Sequence, residues 1–518
     1  RRVAGRFLMR KLKPAAIQHF GPEQMASGSS NGTTKIAMVI QTLLERHKDF
    51  VLLKLDAANA FNSINRKKVI QRTVRAFPLT YDYIKTMYGE DAHLRVCRAK
   101  DIDTYIKSKE GTQQGDPLGM LMYICGLKPV HRKAIEHMMH LRKIWMKNNK
   151  GHLRKLDAQD WVILAYADDI FIVAPPEIAV RSYMHLDFNL HEDLDANFNF
   201  AKLEAVTLGN VTTITKIMKD TCRKFIDMQN TNSTNNRTSG EGYEVKYHVQ
   251  GRVLQETYKF DDQEEEVIYK SHIFNQEEVD KYMIAVTGAE VLGIPVGDTP
   301  YRVTVILSRF QDIIGHWEMV KQFVSSPQHR HDLMLHCYRT TFTHFLRTIT
   351  PGLFLQDHLR GYINSINEAS GKKDQKDGKP AQRLPEVSDD RLCLVDYIDE
   401  WMIRVGTTIT GLQYNNISID DKFRYTYPTR HGGYGFNTLR NQMYGAYAGS
   451  YLEALYPAGL DIQGDMIKTD FGVREMSAYF RRTLPHINKG QRVGRIGLHT
   501  APSLDHFLAT MMPFNFEQ

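Results

Sequence analysis

Two adjacent aspartates, Asp168 and Asp169, stand between two short apolar runs, Trp161–Tyr166 and Ile170–Val173. Both runs are too short for helices and are rich in β-branched and aromatic residues, which predicts buried strands joined by a tight turn. A turn between buried strands brings the two carboxylates together, where uncompensated charge is energetically costly. Divalent metal ions would relieve that cost. The alternative is that both are ordinary turn residues.

A third acid, Asp56, ends an upstream apolar run over residues 50–55, so its carboxylate is expected at the edge of a strand. An acid at the end of one strand and an acid pair on a neighbouring hairpin can converge on two cations. Oxygen ligands of this kind suit Mg²⁺. Taken alone, Asp56 is better explained as a helix cap or a turn residue than as a metal ligand.

A glycine-containing turn over residues 111–119 lies between the acids in the sequence. Gln114 can hydrogen-bond a base or a sugar, and Gly115 lets the backbone approach a ligand closely. Pro117 suits the first turn of a following helix. By itself, this segment indicates only a turn that leads into a helix.

Together, these segments resemble the palm motifs of the reverse transcriptase domain of non-LTR retrotransposons, in that family's order. The matching segments are Asp56 with Phe61 (motif A), Gln114–Pro117 (motif B), Tyr166–Asp169 (motif C), Asn199–Lys202 (motif D) and Leu292–Gly297 (motif E, the primer grip). The loop from Gln24 to Gly32 resembles the fingers motif that precedes the palm.

The resemblance implies an α+β fold of the right-hand polymerase type, with an antiparallel palm sheet, partial fingers and a helical thumb. It implies an RNA-directed DNA polymerase that adds dNTPs to a primer 3′ end by two-metal phosphoryl transfer. Asp56, Asp168 and Asp169 would be the catalytic residues and the ligands of two Mg²⁺ ions, with Mn²⁺ as a substitute. The implied partners are an RNA template, a DNA primer and dNTPs.

The resemblance also implies a nucleotide-binding set. Phe61 would lie under the incoming sugar and exclude a 2′-hydroxyl; the alternative is a core phenylalanine. Gln114 and Gly115 would contact the nucleotide. Lys202 would face the leaving phosphate, although a surface lysine explains it equally well. The primer grip would include Leu292, Gly293 and Gly297.

The chain is expected to divide into partial fingers (1–50), a palm with interleaved fingers elements (51–300), a helical thumb with a polar linker (301–390) and a C-terminal helical extension (391–518). An insertion at about 210–285 is expected on the surface, because loop closure costs grow slowly with length. Its polar stretch, 229–242, is predicted to be a loop or to be disordered. Further upstream, Asn65 is predicted to cap the helix that follows it. The helical pattern over 118–147 is expected to break near Gly126 and Pro129, with His137 on its surface.

Composition restricts the classes of protein that remain. The formal net charge of +8 permits a polyanionic partner. The five cysteines lie far apart, which argues against a disulfide framework or a clustered zinc site. The scattered cysteines also fit a reducing compartment, and no apolar run is long enough for a membrane span. We therefore expect an intracellular protein of the nucleus or cytoplasm, neither secreted nor membrane-bound. A first residue that falls within a helical pattern suggests a piece of a longer product.

Two rival functions remain open. A viral-type RNA-dependent RNA polymerase would need space for the 2′-hydroxyl, and Phe61 argues against it. A catalytically inactive, domesticated scaffold that only binds RNA would have no use for three costly acids. The sequence leaves the oligomeric state open.

Overall fold

The computed structural model describes residues 2–454 except 22–23, 28, 30, 91, 97–103, 114, 149–160, 232–235, 241, 261–265, 378–382, 388–390, 427–432 and 437. The chain divides into two compact units. The first contains the described residues of Arg1–Ile36 and Ile40–Ala289, and the second those of Ala37–Val39 and Glu290–Gln518. No helix in the described ranges is both long and apolar enough to cross a membrane.

The strands, in chain order, are β1 (Val51–Asp56), β2 (Ala92–Val96), β3 (Thr104–Ser108), β4 (Val162–Tyr166), β5 (Asp169–Ala174), β6 (Glu204–Val206), β7 (Asn236–Gly240), β8 (Tyr243–Gln250), β9 (Val253–Phe260), β10 (Val267–His272), β11 (Ala285–Val286), β12 (Gly288–Val291) and β13 (Ile294–Gly297). Five form the central sheet of the first unit, in the order β11-β6-β1-β5-β4. The apolar residues of β1 and β5 are buried. β4 and β5, whose interior residues are buried, confirm the strands expected on both sides of the acid pair.

The α-helices, in chain order, are α1 (Arg2–Phe20), α2 (Gly32–Arg46), α3 (Ala60–Ser63), α4 (Arg66–Ala76), α5 (Tyr81–Tyr88), α6 (Gly119–Asn148), α7 (Pro176–Leu194), α8 (Val211–Asn230), α9 (Gln276–Tyr282), α10 (Thr299–Phe323), α11 (Pro327–Leu333), α12 (Arg339–Thr348), α13 (Pro351–Phe354), α14 (Arg360–Asp377), α15 (Leu394–Ile409), α16 (Ile419–Thr426) and α17 (Leu439–Ala454). The mixture of helices with largely antiparallel sheets agrees with the α+β class. In the first unit, α6 and α7 pack against each other and against strands of the central sheet.

The central sheet departs from the expected antiparallel arrangement at one edge. β1 pairs antiparallel with β5 and β6, and β4 pairs antiparallel with β5, but β11 runs parallel to β6. A parallel neighbour needs a long crossover connection. The segment between β6 and β11, which contains α8, α9 and four strands, supplies it.

The expected break in α6 was wrong, because this helix is continuous through Gly126 and Pro129. Gly126 serves close packing instead. A Cβ atom added there would lie 2.7 Å from Cγ2 of Val69 on α4, so only glycine allows this approach. The start of the helix also differs from the prediction, since Pro117 precedes the first helical residue by two positions.

The segment between β6 and β11 is a folded region of the first unit. Strands β7–β10 form a four-stranded antiparallel sheet, and both β10 and α8 contact α7. Its buried apolar side chains include Leu254, Tyr258 and Phe260. The loop predicted over 229–242 was wrong in its described part, where α8 ends at Asn230 and β7 follows.

The second unit begins with a hairpin and continues in helices. β12 and β13 form the two-stranded sheet, and α12 and α15 both contact α17. Helix α14 extends to Asp377, so helical backbone reaches into the later part of the segment 301–390, where a polar linker was expected. The helical pattern predicted from Tyr301 onward is confirmed for the described residues.

Candidate active site

The central sheet brings Asp56 and Asp169 together, because these residues are cross-strand partners on β1 and β5. Asp169 also pairs with Tyr166 on β4, which leaves Ala167 and Asp168 as the turn between the strands. Directly opposed residues of an antiparallel pair have Cβ atoms roughly 4.5–5.5 Å apart. The three acids therefore gather at one end of the sheet.

The acids lie in a partly buried, electrostatically strained environment. The pKa of Asp169 is raised to about 6, first by burial and then by the neighbouring Asp168 carboxylate. The pKa of Asp168 is also raised, mainly by burial and in part by Asp56. The ammonium groups of Lys54 and Lys202 oppose the shift at Asp169. The site thus carries more negative charge than its protein surroundings favour.

The three carboxylates are candidate ligands for a divalent cation. Among the described residues, no group of three or more His, Cys, Asp or Glu side chains is arranged to hold a metal ion. The donor chemistry does fit, because carboxylate oxygens are the ligands that Mg²⁺ prefers. The raised pKa values of Asp168 and Asp169 add a reason, since a bound cation would relieve their repulsion.

Lys202 lies at the same end of the sheet. It ends a short 3₁₀ turn, Phe200–Lys202, in which the side chain of Asn199 accepts a hydrogen bond from the Ala201 amide. The Lys202 ammonium donates to Oδ2 of Asp56 at 2.8 Å. This hydrogen bond is the main reason why the pKa of Lys202 is raised. The lysine is both exposed and paired with a site acid.

Phe61 lies on α3 and packs in a tilted arrangement against a buried aromatic ring of α6. The rings of Phe61 and Tyr123 have centroids 4.7 Å apart. Tyr123 is fully buried, and its pKa is raised far above the usual range, first by burial and then by Asp168. The Phe61 carbonyl accepts from the Thr112 amide at 2.6 Å. A Cβ atom on Gly111 would lie 2.3 Å from that carbonyl oxygen, so the turn requires glycine here.

The remaining predicted nucleotide-binding residues lie before α6. Gln114 lies outside the described residues. Gly115 adopts a positive φ of 81°, which favours glycine. Next to it, the carboxylate of Asp116 accepts hydrogen bonds from the hydroxyls of Tyr83 at 2.8 Å and Tyr88 at 2.7 Å. These contacts anchor the turn to α5.

The predicted primer-grip residues belong to the hairpin of β12 and β13. Leu292 and Gly293 form its turn, with φ values of 52° and 80°. Two successive positive φ values are typical of the tight turns that join hairpin strands. Gly297 ends β13. These residues therefore share one element, which lies at the start of the second unit.

Two buried side chains near these segments had no predicted role. Gln24 hydrogen-bonds the backbone of Ala167, in the turn between β4 and β5. Arg66 donates to the carbonyls of Ser108, Glu110 and Gly111. Gln24 stood in the loop that resembles a fingers motif, and Arg66 followed a predicted helix cap. Neither pattern identifies such distant backbone partners.

The chain is similar to known proteins over part of its length. Residues 2–247 match the family model described as "Reverse transcriptase (RNA-dependent DNA polymerase)". Over 153 residues, the chain is 26% identical to a protein of Nasonia vitripennis named "Retrovirus-related Pol polyprotein from type-1 retrotransposable element R2". The matched stretch covers 29% of this chain and 13% of that polyprotein, so the likeness concerns a small part of the relative.

Proposed function

Because residues 2–247 form a reverse transcriptase domain, we propose that this chain is an RNA-directed DNA polymerase that extends a DNA primer with dNTPs. The observation that carries the proposal is the cross-strand pair of Asp56 and Asp169, with Asp168 on the adjoining turn. Phosphoryl transfer depends on positioning and charge neutralisation more than on a protein nucleophile. The likeness to an R2 polyprotein supports a role in a non-LTR retrotransposon.

We propose that two Mg²⁺ ions, or Mn²⁺ ions in their place, bind to Asp56, Asp168 and Asp169. When bound, divalent ions supply charge neutralisation and make the primer hydroxyl a better nucleophile. Lys202 is the present cationic partner of Asp56. A cation bound to Asp56 would compete with this ion pair and leave the ammonium of Lys202 available to the leaving phosphate.

Phe61 is the proposed selector of the sugar. Its ring is half-buried and is supported by Tyr123. Tyr123 lies close enough to the three acids that their charges raise its pKa. A ring supported on one side is a firm surface, which would collide with a 2′-hydroxyl while packing against a deoxyribose. Gln114 and Gly115 are proposed to contact the same nucleotide.

In terms of domains, we propose that the central sheet is the palm, within residues 51–300, and that residues 1–50 contribute to the fingers. The region at about 210–285 is the proposed insertion. Residues 301–390 would form the thumb and linker, and 391–518 a C-terminal extension. Leu292, Gly293 and Gly297 are the proposed primer grip, since their hairpin joins the palm sequence to the first thumb helix.

A primer-extension assay tests the proposal. The chain is supplied with a DNA primer on an RNA or a DNA template, with dNTPs or NTPs and with Mg²⁺ or Mn²⁺. We expect dNTP addition on the RNA template. Asp168→Asn should abolish this addition and leave thermal stability equal or higher, because a repelling carboxylate has been removed. Asp312→Asn, which changes an exposed aspartate of α10, is the matched control.

Each other outcome is informative. Extension at the wild-type rate by folded Asp168→Asn would contradict the assignment of the acids. A folded wild-type chain that binds RNA but adds no nucleotide would favour the inactive scaffold. Preferential addition of NTPs would favour an RNA-dependent RNA polymerase.

A further inference from the structure

The turn that carries Asp168 contains an unusual backbone conformation. Ala167 has a φ of 56°, in the left-handed region that residues other than glycine rarely adopt. It is also buried. Such a conformation persists only where the surroundings over-determine it. The support for Ala167 therefore controls how Asp168 is presented.

Among the described residues, the side chain of Gln24, in the loop between α1 and α2, hydrogen-bonds both backbone polar groups of Ala167. Its Oε1 accepts from the Ala167 amide at 3.0 Å, and its Nε2 donates to the Ala167 carbonyl at 3.3 Å. Oε1 also accepts from the Ala26 amide at 3.1 Å, which holds the carboxamide in place. Gln24 is only 6% exposed, so water competes little for these bonds.

A second contact joins the same loop to the catalytic hairpin through backbone alone. The Met25 amide donates to the carbonyl of Ala165 at 2.9 Å, which closes the outer edge of β4. Edge closure therefore does not need the side chain of Gln24. What the carboxamide adds is specific to Ala167, whose carbonyl belongs to the planar peptide group that continues into Asp168. Holding this carbonyl restricts the orientation of Asp168.

We propose that Gln24 is a positioning residue for catalysis, whose carboxamide holds the Ala167 peptide so that Asp168 presents its carboxylate beside Asp56 and Asp169. This inference rests on the proposed polymerase function. Gln24 touches neither substrate nor metal, and it acts through the turn. Loss of its two bonds should affect the chemical step and the affinity for metal, and should leave nucleotide binding unchanged.

The test uses the whole chain with Gln24→Met, which preserves side-chain length and removes both bonds. We expect kcat for dNTP addition to fall by on the order of tenfold to a hundredfold, because small displacements of reacting groups have effects of this size. KM for the dNTP should stay within about twofold, as for a group that acts mainly in the transition state. Hydrogen exchange at the Ala167 amide should accelerate, and Mn²⁺ binding measured by calorimetry should weaken.

Two further variants keep the test decisive. Gln24→Glu keeps an acceptor for the Ala167 amide but places an oxygen atom against the Ala167 carbonyl, so kcat should fall in this variant too. It provides the test if Gln24→Met does not fold. Gln41→Met is the matched control. Gln41 is a glutamine only 8% exposed, whose carboxamide donates to Glu45 on its own helix. Its replacement should leave kcat and exchange at Ala167 unchanged.

Wild-type kcat in folded Gln24 variants, or an equal fall in Gln41→Met, would overturn the proposal. A wild-type chain that adds no nucleotide would instead defeat the proposed function. Hydrogen exchange and Mn²⁺ binding would still decide the role of Gln24 in that case. Faster exchange with weaker binding in Gln24→Met alone would support positioning, and no change in either would refute it.

Discussion

The raised pKa of Asp169, about 6 against an ordinary 3.8, links the site to pH. A carboxyl whose pKa is higher in the folded state stabilises the fold while protonated. This contribution is complete below the ordinary pKa and is lost as the pH rises through the folded pKa. Activity should follow the opposite course, because metal ligands must be deprotonated. We therefore expect dNTP addition to increase, and metal-free thermal stability to decrease, as the pH rises through about 6.

Metal concentration provides the check on this prediction. Protons and cations compete for the same carboxylates, so the acidic limb of the pH–rate profile should move to lower pH as Mg²⁺ is raised. The measurement is the rate of single-nucleotide addition at several Mg²⁺ concentrations. An acidic limb that does not respond to Mg²⁺ would assign the titration to a group outside the acid cluster.

Phe61 allows a second prediction at the scale of the residue. Phe61→Val should strongly raise ribonucleotide use and cost less in deoxynucleotide use, because the proposed selection is steric. Relief of the clash should reduce the preference for dNTPs over NTPs by on the order of a hundredfold. Since the ring is only half-buried, with one face packed against Tyr123, its removal should cost only part of the roughly 3–5 kcal/mol expected for a core phenylalanine.

The dNTP/NTP incorporation ratio and the thermal midpoint should be measured on the same Phe61→Val protein. Phe225→Val, at a buried ring of α8, is the matched control and should lose stability without a change in the ratio. An unchanged ratio in Phe61→Val, together with a large loss of stability, would return Phe61 to an ordinary core role.

At the scale of elements, buried charged groups join the region between β6 and β11 to helices α6 and α7. Glu256 on β9 pairs with Arg181 on α7 and lies 3.1 Å from the ring nitrogen of His137 on α6. Burial would raise the pKa of Glu256, but Arg181 and His137 outweigh it and lower that pKa to about 2. The surface position expected for His137 was wrong, because the ring is fully buried. The sheet of β7–β10 therefore relies on groups of α6 and α7 to compensate the buried charge of Glu256.

We predict that Glu256→Gln costs roughly 3–5 kcal/mol of unfolding free energy, because it leaves the Arg181 charge buried without a counter-ion. The double variant Arg181→Met with Glu256→Gln should recover much of this loss. Glu136→Gln, which breaks the exposed pair of Arg132 and Glu136, is the control and should cost no more than about 1 kcal/mol. Urea denaturation measures all of these values. Equal costs for the buried and exposed pairs would contradict the role assigned to this cluster.

For the molecule as a whole, the net charge of +8 suits a nucleic-acid partner. We expect the logarithm of the RNA association constant to fall linearly with the logarithm of salt concentration, as counterions are released. Asp168→Asn should show the same slope, because binding and chemistry use different groups. Fluorescence anisotropy with a labelled RNA measures this dependence. RNA binding that is insensitive to salt would exclude an electrostatic contact between the protein and the RNA phosphates.

The sequence by itself predicted the elements whose causes are local. The apolar runs around Asp168 and Asp169 are the strands β4 and β5, because β-branched and aromatic residues favour short buried strands. The Asn65 side chain caps α4 by accepting from the Lys68 amide, as its residue type and position predicted. The order of the motifs also pointed to the reverse transcriptase family. The strand and capping signals lie within a few residues of the features that they predict.

Only the tertiary structure decided which distant groups meet. Gln24 and Ala167 are 143 positions apart, and Asp56 and Lys202 are 146 apart, so no periodicity in the sequence reveals either pair. In α6, the sequence around Gly126 predicts a helix break, but the tertiary structure uses this glycine for close packing against α4. Such contacts form because burial of apolar surface and pairing of buried polar groups outweigh local preference. The energies involved depend on neighbours that the fold alone brings together.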